Sequence, residues 1–303
     1  VESIDGAKLL IALGSAILEQ GGKDEEFMAF FDRARAVIKA CGAEDTAVAG
    51  LLDARSGELH FNAGRYSEAL KDLEKARAVM DLRSNGGLRL LLQMGLIHYE
   101  QGDLQAADDA FSEARGILKK NRVARGDTAF QIYMNFGNLQ LQDGQLEEAE
   151  DNFKRAKSAA EALDSKAEFA AVLSKLGVVK QTQMEVIAAL ELHQSALDIL
   201  SEEAQESDQY SLLHAEVITN SAVCQASLGN FDAAIESFEL ALNILEANEQ
   251  LETDMAALVL QNLASAQEDN GDEEAAAQSR QEAESVMEKL EENGYFDDFD
   301  EMS

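Results

Sequence analysis

Small apolar residues recur along this chain at a long, regular period, and the pattern predicts paired helices. Alanines 38 to 45 residues apart mark the repeat: Ala34, Ala76, Ala114, Ala156, Ala196, Ala241 and Ala283. A glycine stands twelve residues before six of the seven, and nineteen residues before each stands Gly, Ala or Ser. Residues seven and three positions before each alanine complete an i, i+4, i+7 face of a helix. Such a period predicts a stack of similar supersecondary units.

Residues 46–80 illustrate one unit. Thr46 is placed to cap a first helix that ends at Gly64, where glycine supplies the left-handed conformation of a helix end. A second helix is predicted from about residue 67 to residue 80. Its small residues allow it to approach Gly57 of the first helix closely. The connection is only a few residues long, so the two helices are expected to be antiparallel.

Composition supports an all-α fold, which we expect to be a right-handed superhelical solenoid of about seven helix–turn–helix units. The chain has no proline, a residue that mainly stops helices, and its aromatic content is only 6%. The solenoid is predicted to occupy residues 1–293, followed by a tail at 294–303. The repeats are predicted near residues 8–40, 46–80, 87–118, 128–160, 167–203, 210–247 and 254–290.

The repeat resembles the tetratricopeptide repeat (TPR) family, in which an Ala-x₃-Phe-x₂-Ala run marks the second helix. Ala107, Phe111 and Ala114 form that run in the third unit. The resemblance implies helix–turn–helix units that bind proteins along a concave side. Two features depart from the family: no proline follows the second helix, and the period averages 41.5 residues instead of about 34. The longer period is similar to that of kinesin light chain and Pins-type scaffolds.

The partner-binding residues are predicted on the inner side of the stack, which first helices line in this family. The accessible stripe should fall 25, 22, 18 and 15 residues before each repeat alanine, because this spacing selects one helical face. It is most apolar in the second to fourth units. The predicted site comprises Phe61, Arg89, Leu92, Leu96, Tyr99, Gln131, Met134, Asn138 and Leu141. No repeat has the lysine–asparagine pair with which some family members hold a carboxylate.

Net charge narrows the range of partners. The chain has 58 acidic and 25 basic residues, a net charge of −33. This excludes nucleic acid as the expected partner, since phosphate binding requires clustered lysine and arginine. No apolar run approaches the roughly 20 residues that span a bilayer, so membrane insertion is not expected. The charge is interpreted first as a source of solubility and second as a preference for a basic protein partner. The sequence sets no oligomeric state.

No constellation of residues points to catalysis, a metal or a cofactor, so a non-enzymatic protein without cofactors is predicted. Cys41 and Cys224 lie several repeats apart, which predicts free thiols and a reducing compartment. The sequence begins at Val1, which leaves open both a removed targeting segment and a trimmed chain. We expect a soluble intracellular protein of the cytoplasm or of an organelle matrix or stroma.

The C-terminal tail differs from the repeats. Tyr295, Phe296 and Phe299 alternate with acidic residues after the last helix. The sequence leaves two interpretations open: a disordered tail, or a short acidic–aromatic motif that docks onto a partner.

Three functions therefore remain open. The first is an adaptor or assembly factor that binds a peptide segment of another protein in its inner groove. The second is a structural subunit of a larger complex, held by its convex side and termini. The third is an acidic chaperone for basic proteins.

Overall fold

A computed structural model describes residues 3–19, 24–121, 126–204 and 210–292. These residues form the following helices: α1 (Ile4–Glu19), α2 (Asp24–Ala40), α3 (Ala47–Asn62), α4 (Tyr66–Val79), α5 (Asn85–Glu100), α6 (Leu104–Asn121), α7 (Asp127–Gln142), α8 (Leu146–Leu163), α9 (Lys166–Thr182), α10 (Val186–Ala204), α11 (Ser211–Ser227), α12 (Phe231–Ala247), α13 (Asp254–Asp269) and α14 (Glu273–Glu292). The described residues contain no strand. The prediction of an all-α chain is confirmed over these residues, and the fourteen helices that they form are consistent with seven helix–turn–helix units.

The chain packs as two compact units, Val1–Gly144 and Gln145–Ser303, called unit 1 and unit 2 below. In unit 1, α1 packs on α2, α3 on α4 and α5 on α6; in unit 2, α9 packs on α10, α11 on α12 and α13 on α14. Each second helix also contacts the first helix of the next repeat, as α4 does with α5. The prediction of one continuous solenoid over residues 1–293 stays a prediction.

The repeat alanines mark the tightest part of the core. Six of the seven are completely buried, and Ala283 is 2% exposed. A side chain no larger than a methyl group at this position lets the second helix lie close to its partners. The alanines that mark the sequence period are therefore residues of the helix–helix packing.

Glycine on the first helix provides the matching space. A Cβ at Gly95 would stand 2.5 Å from Cε1 of Phe111, and one at Gly57 would stand 2.8 Å from Cγ of Leu73. Both distances are shorter than a nonbonded carbon contact allows, so only glycine fits. In the first repeat the equivalent residue is Gly14, which faces Phe31, and not the neighbouring Ser15 that the alanine spacing indicated. In the first repeat, the small residue on the first helix thus stands twenty residues before the repeat alanine, one more than in the other repeats.

Helix ends follow the predicted chemistry only in part. Ser84 and Thr253 accept hydrogen bonds from the amides of Gly87 and Ala256 and so cap α5 and α13. Thr46 stands at the predicted N-cap of α3, but its side chain makes no capping bond. Its hydroxyl instead donates to the carbonyl of Ala43 at 2.7 Å.

The turn between the two helices of a repeat needs a left-handed residue. Gly64, Gly102, Gly144, Gly229 and Gly271 all have φ between 70° and 88° there. Met184 occupies the equivalent turn of the fifth repeat with φ 63°, a conformation that strains a residue with a Cβ. Met184 therefore keeps the left-handed backbone conformation of the turn glycines, although it is the one residue at this position that is not glycine.

His193 is the second exception in the fifth repeat. It takes the place that Phe111, Phe153 and Phe238 hold in other repeats, and its side chain is fully buried. A Cβ at Gly177 would stand 2.5 Å from its ring. Neither ring nitrogen has a hydrogen-bond partner. Burial lowers the pKa of His193 to about 4, although the carboxylate of Glu216 acts in the opposite direction.

Candidate partner-binding face

The first helices of unit 1 lie side by side. Helix α3 contacts both α1 and α5, and α5 contacts α7. One side of α3 and of α5 packs on its own second helix, and another side packs on the second helix of the preceding repeat; α7 likewise packs on α6. The accessible side of α3, α5 and α7 that remains is called the inner face of unit 1 below.

The structure places nearly all the predicted partner-binding residues on accessible parts of this face. Arg89 and Gln131 are exposed, and Phe61, Leu96, Tyr99, Met134, Asn138 and Leu141 are half-buried. Leu92 differs, because only 5% of its surface is exposed. It contributes to the packing below the face and offers little surface to a partner.

The apolar part of the face lies on α3 and α5. Phe61 packs its ring against Tyr66, with 6.0 Å between the ring centroids, and this contact holds it at the end of α3. Leu96 and Tyr99 are three residues apart on α5, so they project from the same side of the helix. Half-buried side chains of this kind are held in place by their neighbours and still present apolar surface.

A charged group separates these apolar residues. Glu58 of α3 pairs with Arg55 of its own helix at 2.6 Å and with Arg89 of α5 at 3.4 Å. The three residues line a hollow of about 70 Å³ together with Leu51 and Gln93, among others. Arg89, the basic residue of the predicted site, is thus already paired with Glu58. Arg55, Glu58 and Arg89 together carry one net positive charge.

Glu58 stands 18 residues before Ala76 and so lies on the predicted stripe, but neither Glu58 nor Arg55 is among the predicted site residues. The spacing of Arg55 and Glu58 along α3 is a second signal for their pairing, since residues three apart on a helix are neighbours. The contact between Glu58 and Arg89 depends on the register of two helices from different repeats. That register is a property of the tertiary structure.

Amide side chains complete the face on α7. Gln131 donates to the carboxylate of Asp127 at 3.3 Å, and Asn135 donates to the backbone carbonyl of Gln131 at 2.9 Å. These bonds tie both amides to their own helix. In unit 2, Asn220 donates instead to Ser174 of the neighbouring first helix at 3.4 Å. Asn220 therefore braces the adjacent first helix in unit 2, whereas the hydrogen bond of Asn135 stays within its own helix.

A larger recess of about 670 Å³ opens between α2, α3 and α4, away from the inner face. Asp72 at its wall pairs with Lys75 at 2.6 Å, and Nδ1 of His60 lies 3.2 Å from its other carboxylate oxygen. Burial raises the pKa of Asp53 in the same recess.

The remaining chemistry is sparse. No group of three or more histidine, cysteine or acidic residues in the described ranges is arranged to hold a metal ion. Both cysteines are free, with Cys41 exposed and Cys224 buried. Burial raises the pKa of the Cys224 thiol to about 11. Over the described part of the chain, no helix is long and apolar enough to cross a bilayer. The predicted docking residues Tyr295, Phe296 and Phe299 lie outside the described residues.

The sequence of these helix pairs matches known repeat families. Sequence models of the tetratricopeptide repeat match residues 47–120, 130–163 and 215–247. Over these stretches the chain carries tetratricopeptide repeats. The first match covers α3 to α6, which includes the apolar and charged parts of the inner face. The matched stretches contain the alanine, glycine and aromatic positions that recur in the sequence.

One curated relative supports the likeness to kinesin light chain. Protein KINESIN LIGHT CHAIN-RELATED 1 of Arabidopsis thaliana is 32% identical over 121 residues, which are 38% of this chain and 19% of that protein. The chain therefore spans about a fifth of the length of this relative.

Solved structures with the same fold come from several kinds of protein. BtubC (BKLC) from P. vanneervenii superposes with a TM-score of 0.52 at 20% identity, over 81% of this chain and 91% of its own. Aspartyl phosphate phosphatase F from Bacillus subtilis gives 0.59 at 15%, over 85% and 75%. A Rap protein complexed with Competence and Sporulation Factor gives 0.55 at 15%, over 95% of both chains. Identities this low show a shared TPR-like fold only.

Proposed function

We propose that this TPR protein is a non-enzymatic adaptor or assembly factor that binds a segment of another protein on the inner face of unit 1. The observation that carries the proposal is the set of accessible apolar side chains on adjoining first helices. Phe61, Leu96, Tyr99 and Met134 are half-buried on a side that the helices of unit 1 leave open. An extended or helical segment with apolar anchors suits such a surface.

The charged cluster between α3 and α5 supports a segment with a defined orientation. Arg89 is 46% exposed although it pairs with Glu58, so its guanidinium keeps donors directed towards solvent. A backbone carbonyl or carboxylate of the partner would accept from it, while apolar anchors of the same segment contact Leu96 and Tyr99. Polar contacts of this kind fix register, whereas the buried apolar anchors supply most of the affinity.

The comparisons support the general class of function. Tetratricopeptide repeats form interaction scaffolds, and one structural neighbour is a Rap protein complexed with Competence and Sporulation Factor. A TPR-like fold of this length therefore accommodates a bound factor in at least one protein. The partner of the present chain is proposed to be a protein segment by the same logic.

The test replaces the two central apolar residues. Tagged parent and Leu96→Asp/Tyr99→Ala proteins are each used to capture partners from a native extract, and the retained proteins are quantified by mass spectrometry. The proposal expects specific partners of the parent to be lost from the variant. A charge at position 96 and a missing ring at position 99 remove both apolar anchors and leave the helix intact.

Leu240→Asp serves as the control, because it introduces the same charge at an exposed leucine outside the proposed site. Leu240 lies on α12 of unit 2 and is 50% exposed. The control should retain every partner of the parent. Circular dichroism must show the same helical content for all three proteins. If the double variant retained the full set of partners at parental levels, the inner face of unit 1 would not be the binding site.

A further inference from the structure

The two units differ sharply in charge. Unit 2 contains 36 acidic and 8 basic residues, whereas unit 1 contains 22 acidic and 17 basic residues. Between Lys180 and Arg280 the sequence has no lysine or arginine and has 20 acidic residues. Most of the negative charge of the protein is thus a property of unit 2.

The most exposed large apolar side chains of the described residues also lie in unit 2. Met184 is 83% exposed in the turn between α9 and α10, and Ile187 is 67% exposed in the first turn of α10. Leu228, at the turn between α11 and α12, is 41% exposed. Exposed apolar side chains that lie together and are rimmed by charged residues, as Met184 and Ile187 are by Glu185, are typical of a contact site.

Met184 is also strained in the folded state. It has φ 63° at a turn position where the other six repeats have glycine. Its side chain is almost fully accessible, so packing within unit 2 gives little compensation for that strain. A methionine in this place costs stability and provides a flexible apolar group that adapts to a partner.

The turns of the sixth and seventh repeats adjoin, and the turn of the fifth repeat follows α9, whose Gln181 contacts Cys224 of α11 at 3.7 Å. Asn270 in the last turn donates to Asp232 at the start of α12 at 2.9 Å, which joins the turns of the sixth and seventh repeats. Exposed carboxylates stand at these turns, at Glu185, Asp232, Asp272, Glu273 and Glu274. We call residues 183–187, 228–232 and 270–274 the turn edge of unit 2.

The nearest cation to the turn edge is already neutralised. Lys180 pairs with Glu150 at 3.3 Å and with Glu185 at 3.4 Å, and it also donates to Gln183 at 2.9 Å. Lys180 offsets only one of its two carboxylate partners, so an approaching partner meets apolar side chains on a surface where acidic groups outnumber this cation.

We propose that the turn edge of unit 2 is a second interaction surface, which takes a basic segment of another protein that carries apolar side chains among its lysines and arginines. Charge complementarity selects this occupant, because an acidic or neutral segment would gain nothing from the surrounding carboxylates. The field of unit 2 guides the segment to the edge, and Met184 and Ile187 anchor it. This surface shares no residue with the inner face of unit 1.

The test uses three labelled synthetic peptides and the full chain. The first has leucine at helical spacing among lysines, the second replaces each leucine with serine, and the third replaces each lysine with glutamate. Fluorescence anisotropy measures the binding of each to the parent, to Met184→Ser/Ile187→Ser and to Leu240→Ser/Leu258→Ser. The last protein is the matched control, since Leu240 and Leu258 are exposed leucines of unit 2 outside the turn edge.

The lysine–leucine peptide should bind the parent and the control equally and bind the turn variant at least about tenfold more weakly, because that variant loses the apolar contact of both Met184 and Ile187. The lysine–serine peptide should bind all three proteins weakly and equally. Leu96→Asp/Tyr99→Ala should bind the lysine–leucine peptide like the parent, which separates this surface from the proposed function.

Three results would overturn the inference. In the first, the turn variant binds the lysine–leucine peptide as tightly as the parent. In the second, the glutamate–leucine peptide binds as well as the lysine–leucine peptide. In the third, sedimentation shows that the parent self-associates and that the turn variant does not, which would make a second copy of the chain the occupant.

Discussion

Replacing His193 with phenylalanine should remove a pH-dependent weakness from the core of unit 2. The imidazole is fully buried, and neither of its nitrogens has a hydrogen-bond partner. Phenylalanine fills the same position in other repeats and carries no polar atom. The His193→Phe variant is expected to be more stable than the parent at pH 7 by about 1–3 kcal/mol, the cost of leaving a buried polar group unsatisfied.

The pH dependence follows from the pKa of His193. Burial lowers this pKa from 6.5 to about 4 in the folded protein, so the unfolded chain binds a proton at a higher pH than the folded protein does. The contribution of neutral His193 to stability is therefore complete above pH 6.5 and is lost as the pH falls towards 4. With about 1.4 kcal/mol for each pH unit between the two pKa values, the full loss is about 3 kcal/mol. Between pH 7 and pH 5 it amounts to about 2 kcal/mol.

Urea unfolding followed by circular dichroism at pH 7, 6 and 5 measures this effect. The advantage of His193→Phe over the parent should grow by about 2 kcal/mol between pH 7 and pH 5. His98→Gln controls for the loss of a histidine, because His98 is only half-buried. If parent and His193→Phe lost stability in parallel over this range, or if NMR titration gave His193 an ordinary pKa, the reasoning would be refuted.

Two further predictions concern glycine positions and use the same unfolding assay. Met184→Gly should raise the free energy of unfolding by about 0.5–1 kcal/mol, because glycine adopts the left-handed turn without the steric cost that methionine bears. The reciprocal change Gly229→Met should lower it, and an unchanged stability in both variants would contradict the assignment of strain. Gly95→Ala should destabilise unit 1 by about 1–3 kcal/mol, since its Cβ would stand 2.5 Å from the Phe111 ring. Gly116→Ala, on a helix position with nothing within 4 Å, should instead stabilise it by about 1 kcal/mol; equal effects at both glycines would refute the close approach.

Much of the fold could be predicted from the sequence because its determinants are local or periodic. Helix α3 ends at Asn62, and Gly64 has the left-handed conformation that its place after a helix predicted. The repeat alanines are buried as expected, since small residues at a fixed period indicate the same close helix contact in every repeat. Repetition strengthens each weak local signal, because a residue that departs from the pattern in one repeat is outweighed by the equivalent residues of the other repeats.

Individual side chains were harder to predict, since their surroundings depend on neighbouring repeats. Leu92 falls on the predicted stripe by spacing, yet contacts between helices bury it almost completely. Thr46 has the residue type and position of a cap, yet its hydroxyl donates to Ala43. The replacement of phenylalanine by His193 could be read from the sequence, but its unsatisfied nitrogens could not.

The sequence by itself determined the repeat, the helical class and the columns that pack, because these follow from period, residue size and the turn conformation of glycine. The tertiary structure alone decided which residues share a surface. The pairing of Glu58 with Arg89 and the approach of Asn270 to Asp232 join residues 31 and 38 positions apart. Such contacts depend on the register between successive repeats, which is set by the packing of whole helices and is not encoded at either position alone.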